Sequence, residues 1–490
     1  MRTFLKKLSS GINNYPLLLA TTVSFFYWMY LCFSTKMEIV HDAIGYEDLG
    51  TMLAQDGWLE YFRTGPHREP LYPFLISLSM RLAPRLSLSY QTIQALIQVA
   101  FLFLTQFLAA RLMRRLGIRP VLILLTTLYI GFSPALVNSA FSLFSEIISY
   151  PLVLGIILIG SKSFDALLKN EFKGIQLFFY AVSLGILFSL TTSVKGAFEY
   201  LSLFLMLPFV LLILKGVFSR QRVLCLKAFL FFLTSLIITQ SITGFYKMMN
   251  QRHNGYYTVT DRGAWMLYGA AEKRIQQLSP RKIAAGLAFS AGEGACLSAF
   301  SEEECNAWAF QTSDFIGMTK LLYFHAEGFS PKETNARLLA LATQDMRKNP
   351  VRYLVATTIE STKMFFWEST RIGFVTYPPA LNRLFNFSPF KNGLRFIMSF
   401  LTMLSFIYLC RRIVIHRKKV FASPTPETGI LLFIFIQIIG FIGLYSLFSI
   451  LTRYAFPIVP LYLILIACML EALLQYKKHN TPFEPHVQAR

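Results

Sequence analysis

The residues best suited to chemistry in this 490-residue chain stand at the ends of apolar runs. The first group follows an N-terminal apolar run. It reads His41-Asp42-Ala-Ile-Gly-Tyr46-Glu47-Asp48 and, further on, His67-Arg68-Glu69-Pro70-Leu71-Tyr72-Pro73. Asp42 has the right chemistry for a general base toward an attacking hydroxyl. It could equally give one oxygen to a divalent cation whose other ligands come from elsewhere. A solvated loop accounts for the same residues without function. Glu47 and Asp48 fall where a helix is expected to begin, and acids are favourable there on electrostatic grounds alone. Glu146 opens a later apolar run, where it either caps a helix or shares a site with Asp42. Two cations stand in short turns: Lys195 in Thr-Thr-Ser-Val-Lys-Gly, and Arg453, with Tyr454, in Leu-Thr-Arg-Tyr-Ala-Phe-Pro. Both either snorkel to lipid headgroups or bind the phosphate of a lipid ligand. For the latter, Arg offers a bidentate fork and Lys a point charge.

The elements that must position these residues are membrane helices. The chain is 54% hydrophobic and 15% charged, against about 25% charged in soluble domains. Apolar runs reach the roughly 20 residues that a bilayer requires. These facts exclude a soluble enzyme, a disordered chain and a collagen-like fibre. Lys and Arg number 47 against 26 Asp and Glu, giving +21. They gather in short loops between apolar runs, so the excess is assigned to membrane topology and not to a nucleic-acid partner. Spans are expected at 16–34, 90–110, 120–137, 146–161, 175–191, 197–214, 228–246, 394–413, 429–449 and 454–474. The first is read as an uncleaved helix, because no small-residue cleavage site follows it. The segment 70–84 is too short to span and is expected to lie in the interface. That choice puts every short basic loop, such as Arg111-Arg115 and Arg411-Lys419, on one side. It places both termini in the cytoplasm and the candidate residues outside.

The chain therefore divides into a core at 1–246 with an outer loop at 35–89, an outer domain at 247–393, and C-terminal helices with a cytoplasmic tail at 394–490. Within the outer domain, helices are expected near 308–323 and 331–348, and an interfacial helix over 351–368. The fold class is an all-α polytopic membrane protein of about ten transmembrane helices with interfacial helices and one larger outer insertion. Six cysteines show no metal spacing. Cys296 and Cys305 both fall in the outer domain, where an oxidising compartment permits a bond. Cys32, Cys225, Cys410 and Cys468 lie in or beside spans, so a Cys296–Cys305 disulfide is expected.

Taken in order, these pieces resemble the GT-C superfamily of membrane glycosyltransferases, in the branch that includes protein O-mannosyltransferases and the aminoarabinose transferase of lipid A. Asp42, the Arg68-Glu69-Pro70-Leu71-Tyr72-Pro73 stretch and Glu146 carry the likeness. So do the Gly185…Leu190-Thr191…Lys195 passage and Arg453-Tyr454…Pro457…Pro460. It covers the first two hundred residues and the last forty; 247–393 matches nothing beyond its position. The resemblance implies a GT-C-like bundle in the inner or plasma membrane, with its site facing the periplasm or the outside. It implies a polyprenyl-phosphate-linked sugar donor, an inverting displacement, and a glycan, lipid or protein acceptor from the cell envelope or secretory path. Asp42 would be the base, with Glu146 beside it. Lys195, Arg453 and Arg68 would hold the phosphate, with His67, Glu69 and Tyr454 lining the substrate. Many members carry Glu after the first acid, where this chain has Ala43, and Asp where it has Glu146. A divalent cation held by Asp42 and Glu146 therefore stays open. A flippase or transporter for a lipid-linked precursor, or a glycan ligase, is the alternative.

Overall fold

The computed structural model describes residues 15–368, 374–416 and 425–480. Apolar runs become helices because a segment in lipid must satisfy its backbone polar groups internally. Among the described residues nine helices are long and apolar enough to cross a membrane: Pro16–Ser34, Tyr90–Arg115, Glu146–Leu168, Gly174–Thr192, Phe198–Phe218, Arg222–Asn254, Ser388–Ile415, Pro426–Tyr445 and Thr452–Tyr476. A tenth expected span, 120–137, is broken. Pro120–Phe132 and Pro134–Ala140 meet at 52°. Ser133 caps the second piece through its side chain, and Pro134 stands at that helix's start, where a missing N–H costs nothing. The chain is thus an all-α polytopic membrane protein. Among the described residues the one sheet is the antiparallel pairing of Lys36–Met37 with Val375–Thr376.

The Glu146–Leu168 helix is the most enclosed span and touches Tyr90–Arg115, Gly174–Thr192 and Pro426–Tyr445. Close approach in lipid depends on small residues and polar contacts. At Gly185 a Cβ would lie 2.7 Å from the Ser235 carbonyl oxygen. Around it, Ser235 Oγ donates to Ala181 O at 3.0 Å and Thr239 Oγ1 to Gly185 O at 3.3 Å. These contacts clamp Gly174–Thr192 to Arg222–Asn254, and so fix the turn that carries Lys195.

Several sequence expectations shift. The helix expected to start near Glu47 and Asp48 begins at Asp42, and Glu47 sits in its second turn, accepting from Tyr90 Oη. It stops at Gln55, and a separate helix, Gly57–Arg63, follows across the positive φ of Gly57. The segment expected to lie in the interface forms Leu71–Leu86, whose 16 residues reach about 24 Å, too short to span. The span expected at 228–246 runs from Arg222 to Asn254. The single helix expected over 351–368 ends at Ser361. A 3₁₀ turn, Thr362–Phe365, then brings the Lys363 ammonium to the Trp308 carbonyl at 2.7 Å.

The segment 247–393, expected as the outer domain, has two packed groups. Gly263–Arg274, Phe310–Ala326 and Pro331–Lys348 form one; the other is Pro280–Ala291 with Pro350–Ser361 and the loop closed by Cys296 and Cys305. Those two cysteines are bonded, with Cα atoms 5.9 Å apart.

Candidate functional site

The 52° bend, the start of Glu146–Leu168, the 193–197 turn and the segment around Arg453 meet at one end of the bundle. Asp42 opens its helix there. Arg68 Nη2 donates to Asp42 Oδ1 at 2.8 Å, and Arg453 Nη2 donates to Oδ2. One carboxylate thus joins two guanidiniums that are 385 positions apart in the chain. Beside it, Lys195 Nζ donates to Glu146 Oε1 at 3.0 Å. Glu146, expected as a helix cap or a site acid, is the first residue of its helix, where an acid is favourable, and is 4% exposed. Glu69 accepts from the Gly196 N–H at 2.7 Å, and Leu71 N–H donates to Ser193 O at 2.9 Å. These two bonds fasten the loop carrying Arg68 to the turn carrying Lys195.

Aromatic rings wall the cluster. The Arg68 guanidinium lies 4.5 Å from the Tyr46 ring centre, and that of Arg453 lies 4.8 Å from Phe144. Tyr46 packs edge-on to Tyr72, and its hydroxyl meets Ser145 Oγ at 3.0 Å. Tyr454 stands between Tyr445 and Phe310. Such walls lower the local dielectric and strengthen each charge contact. Burial works against the charged carboxyl of Asp42, but Arg453 and Arg68, with Arg262 behind them, hold it well below the usual carboxylate range. Burial likewise disfavours the Lys195 ammonium, yet Glu146, and after it Tyr46, keep it well above the ordinary lysine value. Arg453 also feels the charges of Glu146 and Asp42, and Tyr454 those of Arg453, Lys195 and Asp42, so the two ion pairs lie in one electrostatic group. His67 is turned toward the neighbouring helix instead. Its Nε2 meets Thr64 Oγ1 at 2.8 Å and its ring stacks edge-on with Tyr61.

A divalent cation does not fit this donor set. Both Asp42 oxygens already accept from guanidiniums and Glu146 accepts from an ammonium. Among the described residues no three His, Cys, Asp or Glu side chains gather at metal-binding distance.

Sequence reasoning missed three groups. Glu368 is buried and accepts from Ser133 Oγ at 2.9 Å and from the Ala135 N–H at 3.2 Å, so it holds the 52° bend. Asp314 lies one turn after Phe310, on the same helix face. Phe310 meets Tyr454 at 6.1 Å, and Asp314 makes no ion pair within 4.0 Å among the described residues. Burial raises its carboxyl above the ordinary value, with Arg262 opposing and Asp42 adding to the rise. The third group is Lys273, Arg274 and Lys363 around Glu360. Lys273 Nζ reaches Glu360 Oε1 at 2.5 Å and Ser449 Oγ at 2.7 Å; Arg274 Nη1 donates to Ser446 O at 2.7 Å. This buried knot ties the outer domain to the loop that leads into Arg453. The only sequence signal was Glu360 and Lys363, three apart in an apolar stretch.

No family model matches the chain, and no curated protein matches it.

Proposed function

We propose that this protein is a membrane glycosyltransferase that moves a sugar from a polyprenyl-phosphate carrier to an acceptor hydroxyl. The observation that carries this reading is the convergence of Arg68, Arg453 and Lys195 on Asp42 and Glu146 at one end of a helical bundle. Three cations walled by aromatic rings have the charge and the donor forks to hold a phosphate. Their place at the ends of spans lets a polyprenyl tail stay among lipids while the sugar reaches water. The resemblance of the same residues to the GT-C pattern supports the reading.

The Asp42 carboxylate occupies the guanidinium forks that a phosphate would need, and in that state it is a poor base. A donor phosphate that draws Arg68 and Arg453 to itself frees Asp42 and raises its proton affinity. The acceptor hydroxyl then gives its proton to Asp42 as its oxygen attacks the anomeric carbon. The bond between sugar and phosphate oxygen breaks, its electron pair goes to the phosphate, and the anomeric centre inverts. Arg68, Arg453 and Lys195 stabilise the charge that develops on the leaving phosphate. Glu146 keeps the Lys195 ammonium charged and aimed.

Binding of undecaprenyl phosphate and dolichyl phosphate to the purified full-length protein in nanodiscs tests the reading. One of the two should bind, and Arg453→Ala should weaken it about tenfold or more, the loss of one charge-assisted hydrogen bond. Transfer from the matching lipid-linked sugars completes the test. If neither lipid binds, the assignment is wrong.

A further inference from the structure

The end of the bundle opposite this cluster holds a second concentration of cations. The Tyr90–Arg115 helix starts at the site, where Tyr90 bonds Glu47, and its 26 residues carry the chain about 39 Å away. There a cavity of about 370 Å³ is lined by Leu17, Phe107, Arg111, Arg114 and Arg115. The last four share one helix face, at spacings of four, three and one. Phe107, a turn deeper toward the bilayer, is 45% exposed, and Leu17 faces it from the first span. Apolar walls at depth and guanidiniums at the mouth match an amphiphile lying along the helix.

The charges are poorly neutralised. Among the described residues only Arg115 has an acidic partner, Asp165 at 3.3 Å. Its other terminal nitrogen, Nη1, is buried without a hydrogen bond. Arg111 and Arg114 form no ion pair among the described residues. Residues 1–14, which precede Leu17 in the chain, include Arg2, Lys6 and Lys7 and no acid. Like charges three and four apart on a helix repel. An outside anion therefore relieves a repulsion that the chain's own sequence there leaves standing. Three arginines, as opposed to lysines, supply forks suited to a phosphodiester.

We infer that this cavity binds the headgroup of an anionic phospholipid, with the phosphate between Arg111, Arg114 and Arg115 and an acyl chain along Phe107 and Leu17. The site is separate from the proposed donor site and does not depend on it. It would anchor the first span and the 90–115 helix to one leaflet.

Thermal unfolding of the full-length protein in detergent, with added phosphatidylglycerol, phosphatidylcholine or inorganic phosphate, tests this. Wild type should gain several degrees from phosphatidylglycerol and little from the other two. Arg111→Gln with Arg114→Gln should lose at least half of that gain. Both side chains are exposed, so the variant is expected to fold. Arg220→Gln with Arg222→Gln removes two exposed cations elsewhere and should keep the gain. Equal stabilisation by phosphatidylcholine, or an equal loss in the Arg220/Arg222 pair, would reduce the effect to diffuse attraction and overturn the site. A full response to inorganic phosphate would make it a free-anion site, not a lipid site. Native mass spectrometry supplies a second readout: phosphatidylglycerol retained equally by wild type and the Arg111/Arg114 variant also overturns it.

Discussion

At the scale of single residues, the exchange of partners at Asp42 gives a sharp expectation. In the proposed mechanism Asp42 competes with the donor phosphate for Arg68 and Arg453. Asp42→Asn should therefore abolish transfer while leaving polyprenyl-phosphate binding equal or tighter. A purified Asp42→Asn protein with near-normal transfer removes Asp42 from the base role; one that cannot bind the lipid makes Asp42 a scaffold for the arginines. Asp42, Glu146, Lys195 and Arg453 stood out as candidates in the sequence because each lies at or beyond the end of an apolar run or in the turn between two. Which charge meets which was not legible, because Arg453 lies 411 positions from Asp42 and Lys195 lies 49 from Glu146. Asp314 left no signal at all: it sits in a helix of the polar insertion, which the contact of Phe310 with Tyr454 brings to the site. His67 read as a site residue because it adjoins Arg68, but its ring is taken up by Tyr61 and Thr64.

At the scale of elements, the knot around Glu360 decides how the outer domain is seated. Three cations, Lys273, Arg274 and Lys363, surround one carboxylate that is fully buried. Glu360→Gln leaves those cations without counter-charge and should destabilise the outer domain by about 3–5 kcal/mol, read as a loss of thermal stability. The knot also has a pH signature. Burial lowers Lys363 from the ordinary 10.5 to about 8, with Glu360 opposing and Lys273 and Arg274 adding to the fall. A lysine with a lower value folded than unfolded is held protonated more tightly by the unfolded chain. Stability should therefore rise with pH between about 8 and 10.5, by at most about 3 kcal/mol, and stay flat for this group below that window. Burial depresses Lys273 as well, so it contributes to the same rise. Lys363→Met should flatten the rise, since it removes one titrating group and relieves Lys273 of a like charge. An unchanged slope would place the titration elsewhere. The existence of the apolar helices followed from composition, but their ends did not: the span expected at 228–246 runs from Arg222 to Asn254. Nor did the break of 351–368, because it depends on where Lys363 finds its carbonyl.

At the scale of the whole molecule, the bundle is polarised. The carboxylate–cation cluster, the outer domain and the Cys296–Cys305 bond occupy one end, and the Arg111–Arg115 face occupies the other. The sides follow from charge and crossing number together. An even count of crossings separates Arg111–Arg115 from the Lys162–Lys173 loop, so both belong to one side, which the bias of short basic loops predicts to be the cytoplasm. The 52° break strains this count, since 120–140 crosses only as a bent pair. The pair still joins the two ends, since Arg119 donates to Glu471 near the far end of the last span and Ser145 Oγ meets Tyr46 Oη at the site, so it counts as one crossing. Labelling of intact cells tests the orientation of the bundle. In a chain with Cys32, Cys225, Cys410 and Cys468 replaced by serine, Lys332→Cys should react with a membrane-impermeant maleimide. Lys173→Cys should react only after the membrane is opened. Both positions are exposed on their own faces, so burial cannot mimic protection. Cys296 and Cys305, being bonded and buried, should stay silent and add no background. Labelling of Lys173→Cys in sealed cells would reverse the bundle. It would place the cluster of Asp42, Arg68 and Arg453 in the cytoplasm, where a sugar donor presented on the outer leaflet never arrives.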